Sequence, residues 1–516
     1  MSKLLRRNTL LRLLGRKKQT SVCLPADCLY DIFNLLKDDI KSLHSCILVN
    51  RLWCETAIPY LWAWAQPFSQ STPPASFINI FIASLSDADR NEFIARGLRI
   101  PAQYRKSPTF NYASFIPHLS MERLYTSVHC WTQQQMSKRR SSSYINTAEV
   151  SELALLVYYS LCRLFFGKRS NIQSLSLDRQ SKCIGPTTPN NLGVNLCLSN
   201  IKTLSIRYTS DTFIFDALHK QAENVENLSI IKSSDPSLRN FDDSNYLSSL
   251  IFAQHGLCSF SLACYDTING FSSNIFIPLA SQADTLTSLK LYGVPFPNDA
   301  SINALITCSM IEELEIKRCT KDTGCSFESI SKANLPYLRK VRVIESSILW
   351  DHFIATVIQK NPLNLEEVFY QPWESEENNE LSTSIIKNIA HWAPKLKTFG
   401  IALSADEVPY LIDILSAPGC RIEKLSLFSM SKPKDLEKIW PTVGKHIPVT
   451  LKHLNIWIFI GAKAMHFFLK DVKAQLESLY IDSWVEDFLF SPYSDVLGEY
   501  LQERFLDMAD FFHPEI

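Results

Sequence analysis

The sequence predicts an α/β protein with an all-α N-terminal part followed by a solenoid of parallel strands and helices. One observation is a six-residue unit, apolar-x-x-apolar-x-apolar, that occurs twelve times from residue 172 onward, with starts 24 to 32 residues apart. The other is a stretch near the N-terminus, Leu24 to Trp62, in which apolar residues follow helical spacing. The 516 residues are therefore divided into five parts: a basic tail (1–20), a helical segment (21–65), a helical linker (66–170), the repeat array (171–484) and a C-terminal helical cap (485–516).

The segment from Leu24 to Trp62 is predicted to form two or three short helices. Pro25 suits a first helical turn, and Asp27 complements the positive end of the helix dipole. Pro59 is expected to limit the last helix. One apolar stripe shows i, i+3, i+4, i+7 spacing: Leu29, Ile32, Phe33 and Leu36. So small a unit cannot bury all of its apolar side chains, and the surplus predicts docking onto another protein.

This segment resembles the F-box family in the order and spacing of its residues. The matching features are an opening Leu-Pro, the helical stripe, a Val-x-Arg-x-Trp core and a closing Leu-Trp, and they cover about 40 residues. The resemblance implies that the segment binds a Skp-type adaptor and, through it, a cullin scaffold. The residues expected to contact the adaptor, some of which must instead form the segment's own core, are Leu24, Pro25, Leu29, Ile32, Phe33, Leu36, Val49, Arg51, Trp53, Leu61 and Trp62. The alternative is an ordinary helical hairpin packed on its own chain.

Composition limits the classes of function. Lys plus Arg and Asp plus Glu both total 52, so no global basic field attracts nucleic acid. The 14 cysteines include no Cys-x-x-Cys pair, which is typical of a reduced intracellular protein, and no apolar window reaches membrane-spanning length. We therefore expect the protein to be located in the cytoplasm, the nucleus or both. The basic residues 1–20 are compatible with a frayed tail, a presequence, a membrane contact or an import signal.

The linker from 66 to 170 is predicted to be mainly helical. Four helices are expected, over Phe77–Leu85, Asp87–Arg96, Pro117–Val128 and Asn146–Phe166. Asn146 and Glu149 suggest a capping box for the last of these.

The twelve repeats resemble leucine-rich repeats in length and in their strand motif. The copies are IQSLSL, IKTLSI, VENLSI, LCSFSL, LTSLKL, IEELEI, LRKVRV, LEEVFY, LKTFGI, IEKLSL, LKHLNI and LESLYI. The family pattern places Asn or Cys eight residues after the first apolar position, and here only Cys319 fits. This departure predicts an irregular horseshoe with variable turns. Helices are expected between strands, over Thr212–Ala222, Ser301–Ser309, Leu349–Gln359, Ser384–Trp392 and Ala462–Lys473.

Alternate strand residues face away from the core, because side chains alternate along a strand. In the early copies they are small and polar, and the later copies offer Lys424 with Phe428 and His453 with Trp457. A protein substrate is predicted to bind the charged central residues and the aromatic residue beside them, namely Glu313, Glu315, Lys317, Lys340, Arg342, Glu367 and Phe369. The alternative is a solvated face with ion pairs between neighbouring strands, such as Glu315 with Arg342.

Motifs for catalysis are missing from the sequence. It contains no Gly-rich phosphate loop, no Gly-x-Ser-x-Gly and no His-Glu-x-x-His, so we expect no enzymatic activity and no cofactor. The order of segments resembles a substrate receptor of a Skp–cullin–F-box ubiquitin ligase, with an unknown protein as substrate. The alternative is a leucine-rich scaffold that acts outside ubiquitin transfer.

Overall fold

The fold is given by a computed structural model, which describes residues 24–65, 75–137, 147–167, 170–177, 198–207, 218–232, 244–264, 275–324, 331–372, 379–392, 395–429, 440–457 and 462–481. The chain divides into two compact units, residues 1–119 with 126–165 and 169–171, and residues 120–125 with 166–168 and 172–516. The predicted basic tail, the C-terminal cap and the capping residue Asn146 lie outside the described residues.

The N-terminal third is mostly helical. Its helices are α1 (Ala26–Leu35), α2 (Ile40–Cys46), α3 (Arg51–Ala65), α4 (Ala75–Ser84), α5 (Asp87–Ala95), α6 (Met121–Ser137) and α7 (Thr147–Phe165), and short 3-10 turns cover Ala102–Tyr104 and Tyr112–Phe115. One strand, β1 (His118–Ser120), replaces the start of the helix predicted from Pro117. Ile116 is extended, at φ −92° and ψ 104°, because the following proline excludes helical geometry there.

Helix α3 corrects the expectation for Pro59, since it continues through this residue to Ala65. A proline inside a helix removes one backbone N–H donor, and apolar packing compensates here. Ala57 and Ile58, just before the proline, are buried, and Leu61 packs against the same core just after it. The amide of Trp53 donates to Asn50 Oδ1 at 2.9 Å, which satisfies an N-terminal amide of the helix.

The second unit is a parallel α/β array. Its strands are β2 (Ser174–Leu177), β3 (Thr203–Arg207), β4 (Asn227–Lys232), β5 (Ser259–Cys264), β6 (Ser288–Tyr292), β7 (Pro295–Asn298), β8 (Glu313–Lys317), β9 (Thr320–Gly324), β10 (Lys340–Ile344), β11 (Glu367–Gln371), β12 (Thr398–Leu403), β13 (Lys424–Ser429), β14 (His453–Trp457) and β15 (Ser478–Ile481). Its helices are α8 (Ser244–Phe252), α9 (Phe276–Ala280), α10 (Asp299–Thr307), α11 (Ile348–Lys360), α12 (Asn379–Trp392), α13 (Val408–Ser416), α14 (Trp440–His446) and α15 (Ala462–Asp471), with 3-10 turns at Pro362–Asn364 and Ala405–Glu407.

The repeated motif sets the register of a thirteen-stranded sheet, in which every motif copy supplies one strand. Neighbouring copies pair in parallel with equivalent positions side by side, as Val341 does with Leu314 and Val368. The fourth motif position therefore forms one continuous row of buried side chains: Leu175, Leu204, Leu228, Phe260, Leu289, Leu314, Val341, Val368, Phe399, Leu425, Leu454 and Leu479. Strands β7 and β9 form a separate pair.

Buried polar side chains satisfy backbone groups at both ends of the strands. Cys319 Sγ donates to the Leu291 carbonyl at 3.5 Å, and Ser346 Oγ lies 3.4 Å from the Ile316 carbonyl. Ser346 thus makes this backbone contact from the position where the leucine-rich-repeat pattern has Asn or Cys. Before the strands, Gln254 and Gln282 bridge successive repeats, since the Gln282 amide donates to the Gln254 carbonyl at 2.9 Å. The glutamine bridge was not predicted from the sequence.

Three consecutive repeats share one turn geometry immediately after the strand. Gly293, Arg318 and Glu345 have positive φ angles of 63°, 52° and 45°. The amide of each donates to the last residue of the next strand, as Arg318 does to the Ile344 carbonyl at 2.9 Å. The Gly293 Cα faces the Cys264 carbonyl so closely that a Cβ would overlap it. This hydrogen bond offsets part of the cost of left-handed backbone at the two non-glycine residues.

Candidate protein-binding surfaces

The N-terminal helices α1, α2 and α3 form their own small core. Leu29, Phe33, Leu43 and Ala57 are fully buried, and the partly buried side chains around them include Leu36, Trp53 and Leu61. The rings of Phe33 and Trp53 meet edge to face at 5.5 Å. Five of the eleven residues expected to contact an adaptor therefore face this core: Leu29, Leu36, Phe33, Trp53 and Leu61.

Other members of the predicted set lie on the surface of the segment. Leu24, Pro25, Ile32 and Val49 are exposed. Arg51 is also exposed, and its Nε lies 2.7 Å from Glu55 Oε1 in an ion pair within α3. Trp62 differs from both groups, because its ring packs against those of Phe77, Phe81 and Tyr112.

Three exposed apolar side chains of this segment, Tyr30, Leu35 and Leu48, were missed by the sequence prediction. Leu35 is 85% exposed and Leu48 is 73% exposed. Leu35 lies three residues after Ile32 and therefore shares its helix face, beside the buried stripe. Of the thirteen large apolar side chains that are exposed among the described residues, six fall between residues 24 and 49: Leu24, Tyr30, Ile32, Leu35, Leu48 and Val49. This concentration singles out the segment as a candidate docking surface.

The seven residues predicted to bind a substrate lie on three adjacent strands, β8, β10 and β11. Lys340 pairs in register with Glu313 on one side and with Glu367 on the other, and Arg342 pairs with Glu315 and Phe369. All seven alternate with buried residues such as Val341 and Val368, so they share the outer face of the sheet.

Ion pairs join these charged residues across the strands. Lys340 pairs with Glu313, and Arg342 pairs with Glu367. The ion pair between Glu315 and Arg342 that the sequence suggested does not form, because Arg342 pairs with Glu367 on the other neighbouring strand. Lys317 Nζ lies 5.9 Å from the centroid of the Tyr292 ring. The hydrogen bond from Lys340 holds the pKa of Glu313 below its usual value.

A second line of charges precedes the strands, where the sign alternates over seven consecutive repeats: Glu312, Arg339, Glu366, Lys397, Glu423, Lys452 and Glu477. Arg339 lies between two carboxylates, 3.5 Å from Glu312 and 2.9 Å from Glu366. Each of these pairs is at least partly exposed to water, and ion pairs of this kind contribute little to stability in most proteins. They favour one order of strands without supplying much stability.

Beyond the charged residues, an aromatic row crosses the outer face. Phe369, Phe428, Trp457 and Tyr480 are linked by ring centroid distances of 5.2, 5.9 and 4.8 Å. Phe369 and Phe428 are separated by β12, and Gly400 makes their contact possible, because a Cβ there would overlap the Phe369 ring. The Phe428 ring is almost covered, whereas Phe369, Trp457 and Tyr480 remain partly exposed.

A buried carboxyl group lies behind the sheet, on helix α11. Asp351 is 0% exposed, and neither of its oxygens has a hydrogen bond of good geometry among the described residues. Burial raises its pKa to about 7, against a small opposing effect of the Tyr370 hydroxyl. Burial, together with the neighbouring charge of Asp351, raises the pKa of Tyr370. This group is a determinant of stability.

Within the described residues, no group of three or more His, Cys, Asp or Glu is arranged to hold a metal ion. The helices in this part of the chain are also too short or too polar to cross a membrane.

Comparison of the sequence with protein families and with curated proteins adds no relative. No protein-family model matches the chain, and no curated protein matches it significantly in sequence.

Proposed function

We propose that this chain is the substrate-recognition subunit of a Skp–cullin–F-box ubiquitin ligase. The N-terminal helices bind the Skp-type adaptor, the adaptor binds the cullin, and the outer face of the leucine-rich array binds a protein substrate. The receptor performs no chemistry. It raises the effective concentration of a substrate lysine near the ubiquitin carrier, as any tether does.

The observation that carries this proposal is the surplus of exposed apolar side chains on α1 and on the loop before α3. The core of the segment is already filled by Leu29, Phe33, Leu43 and Ala57. Ile32, Leu35, Leu48 and Val49 are not members of this core, and their exposed fractions range from 36% to 85%. Fully burying a fully exposed side chain of this kind yields about 1.5–3 kcal/mol, and the part of these four residues that is still exposed can supply a share of this at an interface.

The adaptor interface is tested by binding of the intact chain to a purified Skp-type adaptor. Ile32→Glu combined with Leu35→Glu is expected to weaken binding at least ~30-fold, because two apolar contacts are replaced by charges. Ile94→Glu is the matched control, since Ile94 lies on α5 with an exposure of 39%, close to the 36% of Ile32. Equal affinity of the double variant and the control would reject this surface.

The second candidate is a leucine-rich scaffold that acts outside ubiquitin transfer. The internal ion pairs Glu313–Lys340 and Arg342–Glu367 favour it, because a face that satisfies its own charges has less need of a ligand. The two functions differ in whether the adaptor-bound chain also carries a cullin.

A further inference from the structure

The aromatic row has a chemical character that the charged strands beside it do not share. Among the outward-facing residues of β11 to β15 themselves, the one carboxylate is Glu367, and its charge is neutralised by Arg342. Glu477, immediately before β15, lies 3.9 Å from His453 Nε2, so Lys424 is the cation of this part that stays available. Lys424 has no carboxylate partner among the described residues, and it stands beside His453 in the strand register. This part of the face therefore combines an available cation with exposed aromatic rings.

The wider outer face also has a net positive charge. From β6 to β15, five cations lie on it (Lys290, Lys317, Lys340, Arg342 and Lys424) against three carboxylates (Glu313, Glu315 and Glu367). The whole chain has a formal charge of zero, so the positive excess belongs to this face. A ligand that complements it must be acidic.

The geometry also fixes the spacing of the ligand's groups. Lys424 and Phe428 lie on the same face of β13, four residues apart, which corresponds to about 13 Å along a strand. Between them, Asn455 Nδ2 donates to Ser426 Oγ at 3.2 Å and leaves a polar, uncharged surface. An extended peptide covers the same distance in about four residues.

We propose that the strip from Lys424 and His453 to Phe428 and Trp457 binds an extended acidic segment of a partner protein. A carboxylate of this segment pairs with Lys424, and an aromatic or large aliphatic side chain about four residues away packs on the indole of Trp457. The proposal rests on the proposed function, of which it defines the substrate class. Gly400 supports the strip, because the Phe369 ring fills the space above it and braces Phe428 from the other side.

The test uses the full chain and fluorescein-labelled pools of dodecapeptides. In the first pool, Glu and Phe are fixed four residues apart in both orders, and the other positions vary among Gly, Ser, Ala, Asn and Thr. The second pool has Lys in place of Glu, and the third has Ser in place of Phe. By fluorescence anisotropy, the first pool is expected to bind at least ~10-fold more tightly than the other two, since it alone supplies both groups.

Variants connect this binding to the strip. Trp457→Ala and Lys424→Glu are each expected to weaken binding of the first pool at least ~5-fold. The matched controls are Phe467→Ala, an exposed aromatic residue on α15, and Lys470→Glu, a charge reversal on the same helix, and both are expected to leave binding unchanged. Equal binding of the three pools, or equal losses in variants and controls, would overturn the proposal.

The chain's own C-terminal residues have the composition of such a ligand, and the same assay distinguishes them from a partner. Residues 482–516 contain nine acidic residues, one basic residue and eight aromatic residues. If binding of the first pool appears only after Asp507→Lys with Asp510→Lys, the occupant is this segment and the partner assignment fails. Adaptor binding by the unmodified chain is measured in parallel: if it binds the peptides but not the adaptor, the ligase proposal is rejected, whereas if it binds the adaptor but not the peptides, this strip is rejected.

Discussion

The ring of Phe428 stacks on the indole of Trp457, with centroids 5.9 Å apart and an angle of 14° between the planes. Phe428 is the almost covered member of the pair, and Trp457 keeps an exposed part. This arrangement gives the outer face a rigid apolar support next to its charged strands. Aromatic anchors of this kind dominate many protein interfaces, because they lose little conformational entropy on binding.

The first prediction concerns the space that Gly400 leaves for Phe369. Gly400→Ala is expected to destabilise the protein by about 1–3 kcal/mol, because its Cβ overlaps the Phe369 ring and separates it from Phe428. In a Phe369→Ala background the same change is expected to cost little, giving a coupling energy of about 1 kcal/mol or more in urea denaturation. Gly256→Ala serves as the control, since its Cβ would meet no atom within 4 Å. Additive effects of the two substitutions would contradict this geometry.

A second prediction concerns the charged strands. Lys340→Glu with Arg342→Glu is expected to abolish substrate capture by the intact chain while adaptor binding is kept. The double variant places like charges beside Glu313 and Glu367, so its fold must be checked by circular dichroism.

A four-residue exchange shows whether substrate capture is lost because the substrate no longer contacts these charges or because the ion pairs are broken. Adding Glu313→Lys and Glu367→Arg restores both ion pairs with reversed direction. If the substrate contacts these charged side chains directly, capture stays lost in the exchanged protein. If capture returns, the charged strands contribute through their ion pairs and not through contact with the substrate.

The third prediction is a pH dependence that originates at Asp351. The folded protein keeps the Asp351 proton up to about pH 7, whereas the ordinary pKa is 3.8. Between these values the folded state binds one proton more than the unfolded state, so the free energy of unfolding falls as the pH rises. Asp351→Asn removes this effect and is expected to gain up to about 4 kcal/mol relative to the wild type between pH 4 and pH 8. A stability difference that stays constant over this range, measured by urea denaturation, would show that Asp351 is not responsible.

Much of the fold follows from the apolar pattern of the repeats. Each motif copy forms a strand, because its fourth residue, such as Val341 or Leu454, occupies the same buried row as its neighbours. Helices such as α10 and α11 lie within a few residues of their predicted limits. The helix end predicted at Pro59 was wrong, since packing around α3 lets the helix continue through this residue. The helix start predicted at Pro117 was also wrong, since the extended residue before this proline leads into the strand β1.

The candidate sites depend more on contacts that a linear pattern does not contain. Helical spacing identifies the stripe of α1, but the packing of α2 and α3 decides that Phe33 is buried and Ile32 exposed. Strand alternation places Phe369 and Phe428 on one face, yet their contact needs a glycine on the intervening strand. Asp351 lies in a helix whose sequence gives no sign that its carboxyl group is buried without a strong partner.

Affinity capture of the intact chain from cells, with quantitative identification of its partners, tests the ligase assignment most directly. We expect a Skp-type adaptor and a cullin in comparable amounts, and the loss of both with Ile32→Glu and Leu35→Glu but not with Ile94→Glu. Recovery of the adaptor without any cullin would contradict the assignment and would leave a scaffold that binds the adaptor for another purpose.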